Sequence, residues 1–295
     1  MNDRVEASLA PTYRLLRRVR RRVRLVRWAA HNRRELARLL ANQDRRAVQL
    51  ADALTAAIGG AMLNEEVEPI TRLERSRAKL ERSRVPLRRS PETYPRRPEG
   101  KQWPLFMTVG RIARYSSVHA PWGRLLLALV RATSPAYVLE LGTAIGISGA
   151  YISTALAVHG RGRLVTIEAT PELAAQARWL FDRLGLVNVE QRVDWITADS
   201  LAGVRRSYGP ADFIYVDAIK DGDVLIDVHR RLSELASRDA VVVYDDVDWS
   251  EEMIAAWTAI QDEPSVGTSI DLGRMGIVVI NQARPEQARF SLHVY

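Results

Sequence analysis

Between Tyr137 and Asp245 short apolar runs alternate strictly with amphipathic stretches, a pattern that few architectures accept. The alternation predicts strands at 137–141, 163–168, 188–193, 212–217 and 240–245, of which 188–193 is the polar one. The stretches between them predict helices at 147–158, 171–184, 199–207 and 222–236. Runs that are apolar at nearly every position are buried on both faces, and alternating β and α units place helices on both sides of a parallel sheet. The fold class is therefore α/β, with ligands expected at the carboxyl ends of the strands. After Trp257, the runs at 266–272, 275–280 and 290–295 predict closing antiparallel strands.

The first strand ends in an acid and two glycines, Glu140, Gly142 and Gly146, and a helix starts at Ser148. Glycines here let the backbone take conformations closed to other residues and let a ligand lie against it near a helix N-terminus. The spacing is Gly-x-x-x-Gly with alanine at 144, which is not the dinucleotide fingerprint. Glu140 would also repel a pyrophosphate, so a cationic, amino-acid-like ligand is expected. Glu168 closes the second strand, where a carboxylate can accept both hydroxyls of a ribose. For the third strand, ending at Val193 leaves room for a crossover helix before Asp212. This makes Asp194 and Trp195 the expected adenine edge, with Asp199 the alternative.

The stretch Glu140-Leu-Gly-Thr-Ala-Ile-Gly-Ile-Ser148 resembles motif I of the class I S-adenosylmethionine (SAM) methyltransferases. The resemblance implies a Rossmann-like fold with a mostly parallel seven-stranded sheet. It also implies that Glu140, Gly142, Thr143, Gly146 and Ser148 hold the amino-acid end of SAM, and Glu168 its ribose. Ile70 to Leu80, Asp245 to Trp257 and Ser269 to Leu272 resemble a widespread group of bacterial members with a helical N-terminal extension. That group carries Asp-Gly-Asn-His after the fourth strand, where this chain has Asp217-Ala-Ile-Lys220.

The fourth and fifth strands emerge in Asp217 and in Asp245-Asp246. Three clustered acids repel one another unless a cation joins them, and oxygen-only ligands on a rigid sheet edge suit Mg²⁺, Mn²⁺ or Ca²⁺. Such an ion would bind a substrate hydroxyl and lower its pKa. Lys220 is the only lysine after position 101, and a partly buried lysine near a metal can act as a base. The arrangement resembles catechol O-methyltransferase and its bacterial relatives, with Asp246 standing where those enzymes have asparagine. That resemblance implies metal ligation by Asp217, Asp245 and Asp246, catalysis by Lys220 and Asp217, and O-methylation of a small hydroxylated acceptor. Asp217 also borders the expected SAM site. His119, in the loop before the first strand, and Trp249, after the acid pair, are further candidate substrate contacts. A metal-free small-molecule methyltransferase and an RNA methyltransferase are the alternatives.

Charge is unevenly distributed. Residues 1–100 carry 24 Lys+Arg against 12 Asp+Glu, and residues 101–295 carry 19 against 23, so the basic character belongs to one end. Apolar residues three or four apart from Leu15 to Leu54 predict one helix over 12–57, stopped by Gly59-Gly60. Arginines from Arg14 to Arg27 crowd its other faces. A second helix is expected from Pro69 to Pro86. This basic arm suits packing on the catalytic half or on a second subunit as a dimer, an anionic membrane surface, or phosphate contacts to nucleic acid. The prolines of 86–104 predict a linker between an extension (1–85) and the catalytic domain (105–295). The absence of cysteine removes disulfides and thiolate chemistry. With no apolar run long enough to span a bilayer and no signal peptide, a cytoplasmic protein is expected, with a peripheral membrane location open.

Overall fold

A computed structural model describes residues 29–42, 44–88, 106–281 and 287–294. Its centre is an eight-stranded sheet. Five parallel strands form one half: β3 (Tyr137–Leu141), β4 (Arg163–Glu168), β5 (Val189–Val193), β6 (Ala211–Val216) and β7 (Ala236–Tyr244). With β8 (Val266–Asp271), β9 (Gly276–Ile280) and β10 (Ala288–Ser291) the spatial order is β10-β8-β9-β7-β6-β3-β4-β5. The helices between strands are α6 (Ile147–Val158), α7 (Pro171–Leu184), α8 (Ala198–Tyr208), α9 (Gly222–Leu235) and α10 (Glu251–Gln261). Every residue of β3 and β9 is buried, as expected of strands covered on both faces.

The strand order reverses between β3 and β6, and in open α/β sheets ligands bind outside the carboxyl ends of the strands at such a switch. The ladder continues past the strands proper. Asp217 N donates to Leu141 O at 2.9 Å and Asp245 N to Val216 O at 2.9 Å, so both acids start their loops at fixed heights on this edge.

The far edge departs from the expected seven strands. β9 pairs antiparallel with β7 and β8, but the chain returns so that β10 adds an eighth strand parallel to β8. Its outer side is met by a helix through residues 29–40, here α1. Asn32 Nδ2 donates to His293 O at 2.7 Å, His293 N donates to Asn32 Oδ1 at 2.9 Å, and His31 Nε2 lies 2.9 Å from Ser291 O. Side-chain amides and rings thus cover part of an edge that would otherwise offer open backbone.

The expected helix over 12–57 is broken within the described residues. After α1 the chain turns, Asp44 caps α2 (Arg45–Ile58) by accepting from Arg46 N at 2.9 Å, and the apolar stripe shifts register: Leu39 is buried and Leu40 is exposed. Residues 12–28, which hold the densest arginines, lie outside the described residues. α3 (Asn64–Leu80) starts ahead of Pro69. Glu66 reaches back to Leu63 N at 2.8 Å and accepts from Arg131 at 2.7 Å, which ties α3 to α5 (Ala120–Thr133).

β1 (Pro86–Arg88) pairs antiparallel with β2 (Phe106–Thr108), and most of the expected linker between them is outside the described residues. α4 (Val109–Tyr115) then leads to α5. Leu39, Leu50, Leu54, Leu73, Leu126, Tyr151, Phe213 and Ile277 belong to one continuous core, so the amphipathic stripes of α2 and α3 are satisfied within the chain. Among the described residues no helix is long and apolar enough to cross a membrane.

Candidate active site

The glycine loop between β3 and α6 rests on a buried acid. Glu140 is fully buried and its Oε2 accepts from Thr166 Oγ1 at 2.6 Å. Thr143 Oγ1 lies 2.5 Å from Thr166 Oγ1 and completes a hydroxyl relay to the carboxylate. Oε1 of Glu140 has no partner at hydrogen-bonding geometry. Burial raises Glu140 to about 7, although the Ser148 and Thr166 hydroxyls act to lower it. The oxygen without a partner can still accept a hydrogen bond.

Two glycines shape the loop for different reasons. Gly142 has φ +101°, and a Cβ there would lie 2.9 Å from Ala218 N, so the loop closes against the segment that follows β6. Gly146 has φ +86°, and its Cβ would lie 2.9 Å from that of Ala177, so it also sets how closely α6 approaches α7. Sequence reasoning missed Gly149, where a Cβ would come within 2.7 Å of Glu140 Oε2 and 3.1 Å of Phe181 Cζ. Its spacing of three from Gly146, on the same helix face, was the available signal.

Glu168, expected at the ribose, is buried and already engaged. Oε2 accepts from Ala144 N at 2.8 Å and Oε1 from Thr170 N at 2.9 Å, while Ala144 holds φ +45°. Burial raises its carboxyl above the ordinary glutamate value and these backbone donors act to lower it. Asp194 N donates to Glu168 O at 3.0 Å, which sets Asp194 at the end of β5. Trp195 N donates to Asp194 Oδ1 at 2.8 Å, and the tryptophan is exposed. Asp199 lies exposed in the first turn of α8. Across the sheet edge the acids therefore follow the strand order: Asp245, Asp217, Glu140, Glu168, Asp194.

The structure does bring the acids after β6 and β7 together, but around cations of the chain. Lys220 Nζ lies 2.9 Å from Asp217 Oδ1 and 2.7 Å from Asp246 Oδ2. Arg274 Nε lies 2.8 Å from Asp245 Oδ1 and its Nη2 2.9 Å from Asp246 Oδ1. Tyr215 donates to Asp245 Oδ2 at 2.8 Å. Among the described residues no group of three or more His, Cys, Asp or Glu side chains is arranged to hold a metal ion. The three carboxylates are closed around an ammonium and a guanidinium, and with those two cations in place they do not fit a divalent cation.

Burial alone would lower the Lys220 ammonium, but Asp217, Asp246 and Asp245 outweigh it and hold the group above the ordinary lysine value. The base role expected of Lys220 requires the neutral amine. Burial raises Asp217 above the usual aspartate range, and Lys220 offsets part of that rise. Arg274 escaped sequence reasoning because it is one of many arginines, in the turn between β8 and β9.

His119 precedes α5 as its N-cap residue, and its Nδ1 is 3.3 Å from Arg77 Nη2. Burial lowers its pKa, with Arg77 and Arg274 adding to the effect. Trp249 is half-buried beside the acid pair. Trp257 is core: its ring fills the space that a Cβ on Gly276 would need, and its Nε1 donates to Asp271 at 3.2 Å.

A doubly wound sheet with a glycine loop after β3 and carboxylates along one carboxyl edge is the arrangement in which open α/β sheets bind nucleotide-type ligands. Residues 107–283, more than half of the chain, match the O-methyltransferase family, and the chain belongs to it. Caffeoyl-CoA O-methyltransferase 1 of Arabidopsis thaliana is 26% identical over 168 residues, 55% of this chain and 62% of that enzyme, so the match spans less than two thirds of this relative. Among solved structures, cofactor-bound Rv0187 from MTB is 27% identical with a TM-score of 0.50, covering 57% of this chain and 83% of that one. The SAH-bound Podospora anserina methyltransferase PaMTH1 shares the fold at 15% identity and a TM-score of 0.51, covering 75% of this chain and 89% of its own.

Proposed function

We propose that the chain transfers the methyl group of SAM to a hydroxyl of a small acceptor. The observation that carries this reading is the buried Glu140, with an unpartnered oxygen beside the Gly142–Gly146 loop, in a member of the O-methyltransferase family. SAM carries an ammonium and a sulfonium. Glu140, Gly142, Thr143, Gly146 and Ser148 would take its amino-acid end, Glu168 its ribose, and Asp194 and Trp195 its adenine, which brings the methyl group toward Asp217.

The acceptor oxygen attacks the methyl carbon in line as the sulfonium leaves as a neutral thioether. Asp217, raised by burial, is the member of the Asp217–Lys220 pair suited to take the hydroxyl proton, and the Lys220 ammonium stabilises the oxyanion. The test is transfer of a labelled methyl group from SAM to a panel of phenols, catechols and aliphatic alcohols. The expected result is incorporation into at least one hydroxyl class, lowered about 10²-fold or more by Asp217→Asn. Label appearing only in added RNA, or in no acceptor while SAM binds, would overturn the assignment.

A further inference from the structure

The cluster of Asp217, Asp245 and Asp246 is closed by the chain's own charges. Five of its six carboxylate oxygens meet a donor. Oδ1 of Asp217 and Oδ2 of Asp246 meet Lys220, Oδ1 of Asp246 and Oδ1 of Asp245 meet Arg274, and Oδ2 of Asp245 meets Tyr215. We propose that Lys220 and Arg274 together take the place of a divalent cation between these carboxylates, so that this chain binds its acceptor and transfers the methyl group without a metal.

Charge, position and backbone all bear on this. One lysine and one arginine bring the same two positive charges to three carboxylates that a divalent ion would. A divalent ion entering the intact cluster would sit against an ammonium and a guanidinium. Displacing them would leave two part-buried cations unpaired, which is strongly unfavourable. The compact ammonium of Lys220 bridges the ends of two neighbouring strands, as a small ion would, in a chain whose other cations in this half after position 101 are all arginine.

The backbone is bent to the same end. Asp246 is held at φ +57°, a left-handed conformation that a non-glycine residue adopts at a cost, and from there its two oxygens reach two different cations. Arg274 is anchored as well, because its carbonyl accepts from Val247 N at 2.9 Å and locks the β8–β9 turn against the loop that carries the acids. An acceptor oxygen in the crevice would then meet fixed donors, and its developing negative charge would face Lys220.

This inference rests on the methyltransferase reading, and the experiment separates the two. Mn²⁺ is titrated into the full-length, metal-stripped protein, with and without SAM, and free Mn²⁺ is followed by its electron paramagnetic resonance signal. SAM binding is measured calorimetrically in the same buffer with EDTA. The wild type is expected to leave the Mn²⁺ signal undiminished and to bind SAM equally well with EDTA. The double variant Lys220→Met/Arg274→Met, which frees the carboxylates, is expected to gain a saturable Mn²⁺ site. Stoichiometric loss of the signal with the wild type, abolished by Asp245→Asn, would overturn the proposal. If the double variant does not fold, the wild-type titration still decides. Failure of SAM itself to bind would count against the methyltransferase reading, while the Mn²⁺ result would still judge the cation cluster.

Discussion

A carboxylate buried without a full set of partners makes its own pH signature, and Glu140 is the case to test. Its pKa is raised to about 7 by burial, whereas an unfolded glutamate titrates near 4.5. The folded state therefore holds the extra proton between these values, and stability falls as pH rises through that window, by about 3 kcal/mol at most. His229, buried and lowered to about 4, works in the opposite direction below its ordinary value, so the comparison must be a difference. Chemical denaturation of wild type and Glu140→Gln from pH 5 to 8 is expected to give a difference curve that increasingly favours the variant toward pH 8. A cationic ligand reverses the sign: SAM affinity is expected to increase from pH 6 to 8 in the wild type and to stay flat in Glu140→Gln. Gly149→Ala places a methyl group against Glu140 and Phe181, and is expected to cost about 1–3 kcal/mol of stability and to weaken SAM binding, read by thermal shift. The carboxylates of this site were legible because each ends a predicted strand, where the sheet leaves side chains facing a ligand. Gly149 and Arg274 were not, because their roles depend on what lies across a packing contact: a carboxylate on another element in one case, two aspartates beyond a different strand in the other.

Elements hold this site through a few buried polar seams. Glu66 is fully buried, with Arg131 at 2.7 Å and Leu63 N at 2.8 Å, so removing the cation strands a charge in the core. Arg131→Met is expected to destabilise the protein by about 3–5 kcal/mol in urea denaturation, and Glu66→Gln/Arg131→Met to recover part of that loss. At the sheet edge, Asn32→Ala removes two hydrogen bonds to His293 and is expected to cost about 1–2 kcal/mol and to speed amide exchange across 288–294. The alternating half of the chain could be read element by element because period and length agree there. Its helix bounds fall within a few residues of those expected. The break between α1 and α2 was hidden because its apolar residues keep a helical spacing on either side of it, and only the Asp44 cap and the outward turn of Leu40 reveal it. β10 was expected to close the sheet antiparallel. Its parallel pairing depends on the path of the return connection, which residue pattern does not specify.

At the scale of the molecule, the charge asymmetry of the sequence suggests two independent halves, yet the core runs through both. Leu39, Leu50 and Leu54 pack in the same apolar body as Leu126, Tyr151 and Ile277, and Arg46 donates to Thr133 O at 2.9 Å and Asp239 O at 3.0 Å. Deleting residues 1–60 is therefore expected to lower the melting temperature sharply, measured by circular dichroism, and an unchanged melting curve would show the helices to be a separable appendage. The central claim, that the carboxyl edge of this sheet is a SAM site, is tested most directly by calorimetric titration of SAM into the full-length protein at pH 8 with EDTA present. A saturable isotherm of one equivalent with a Kd in the range of about 1 μM to 1 mM, lost in Glu168→Ala, is the expected result. No saturable binding by the folded wild type, or an affinity unchanged by Glu168→Ala, would contradict it.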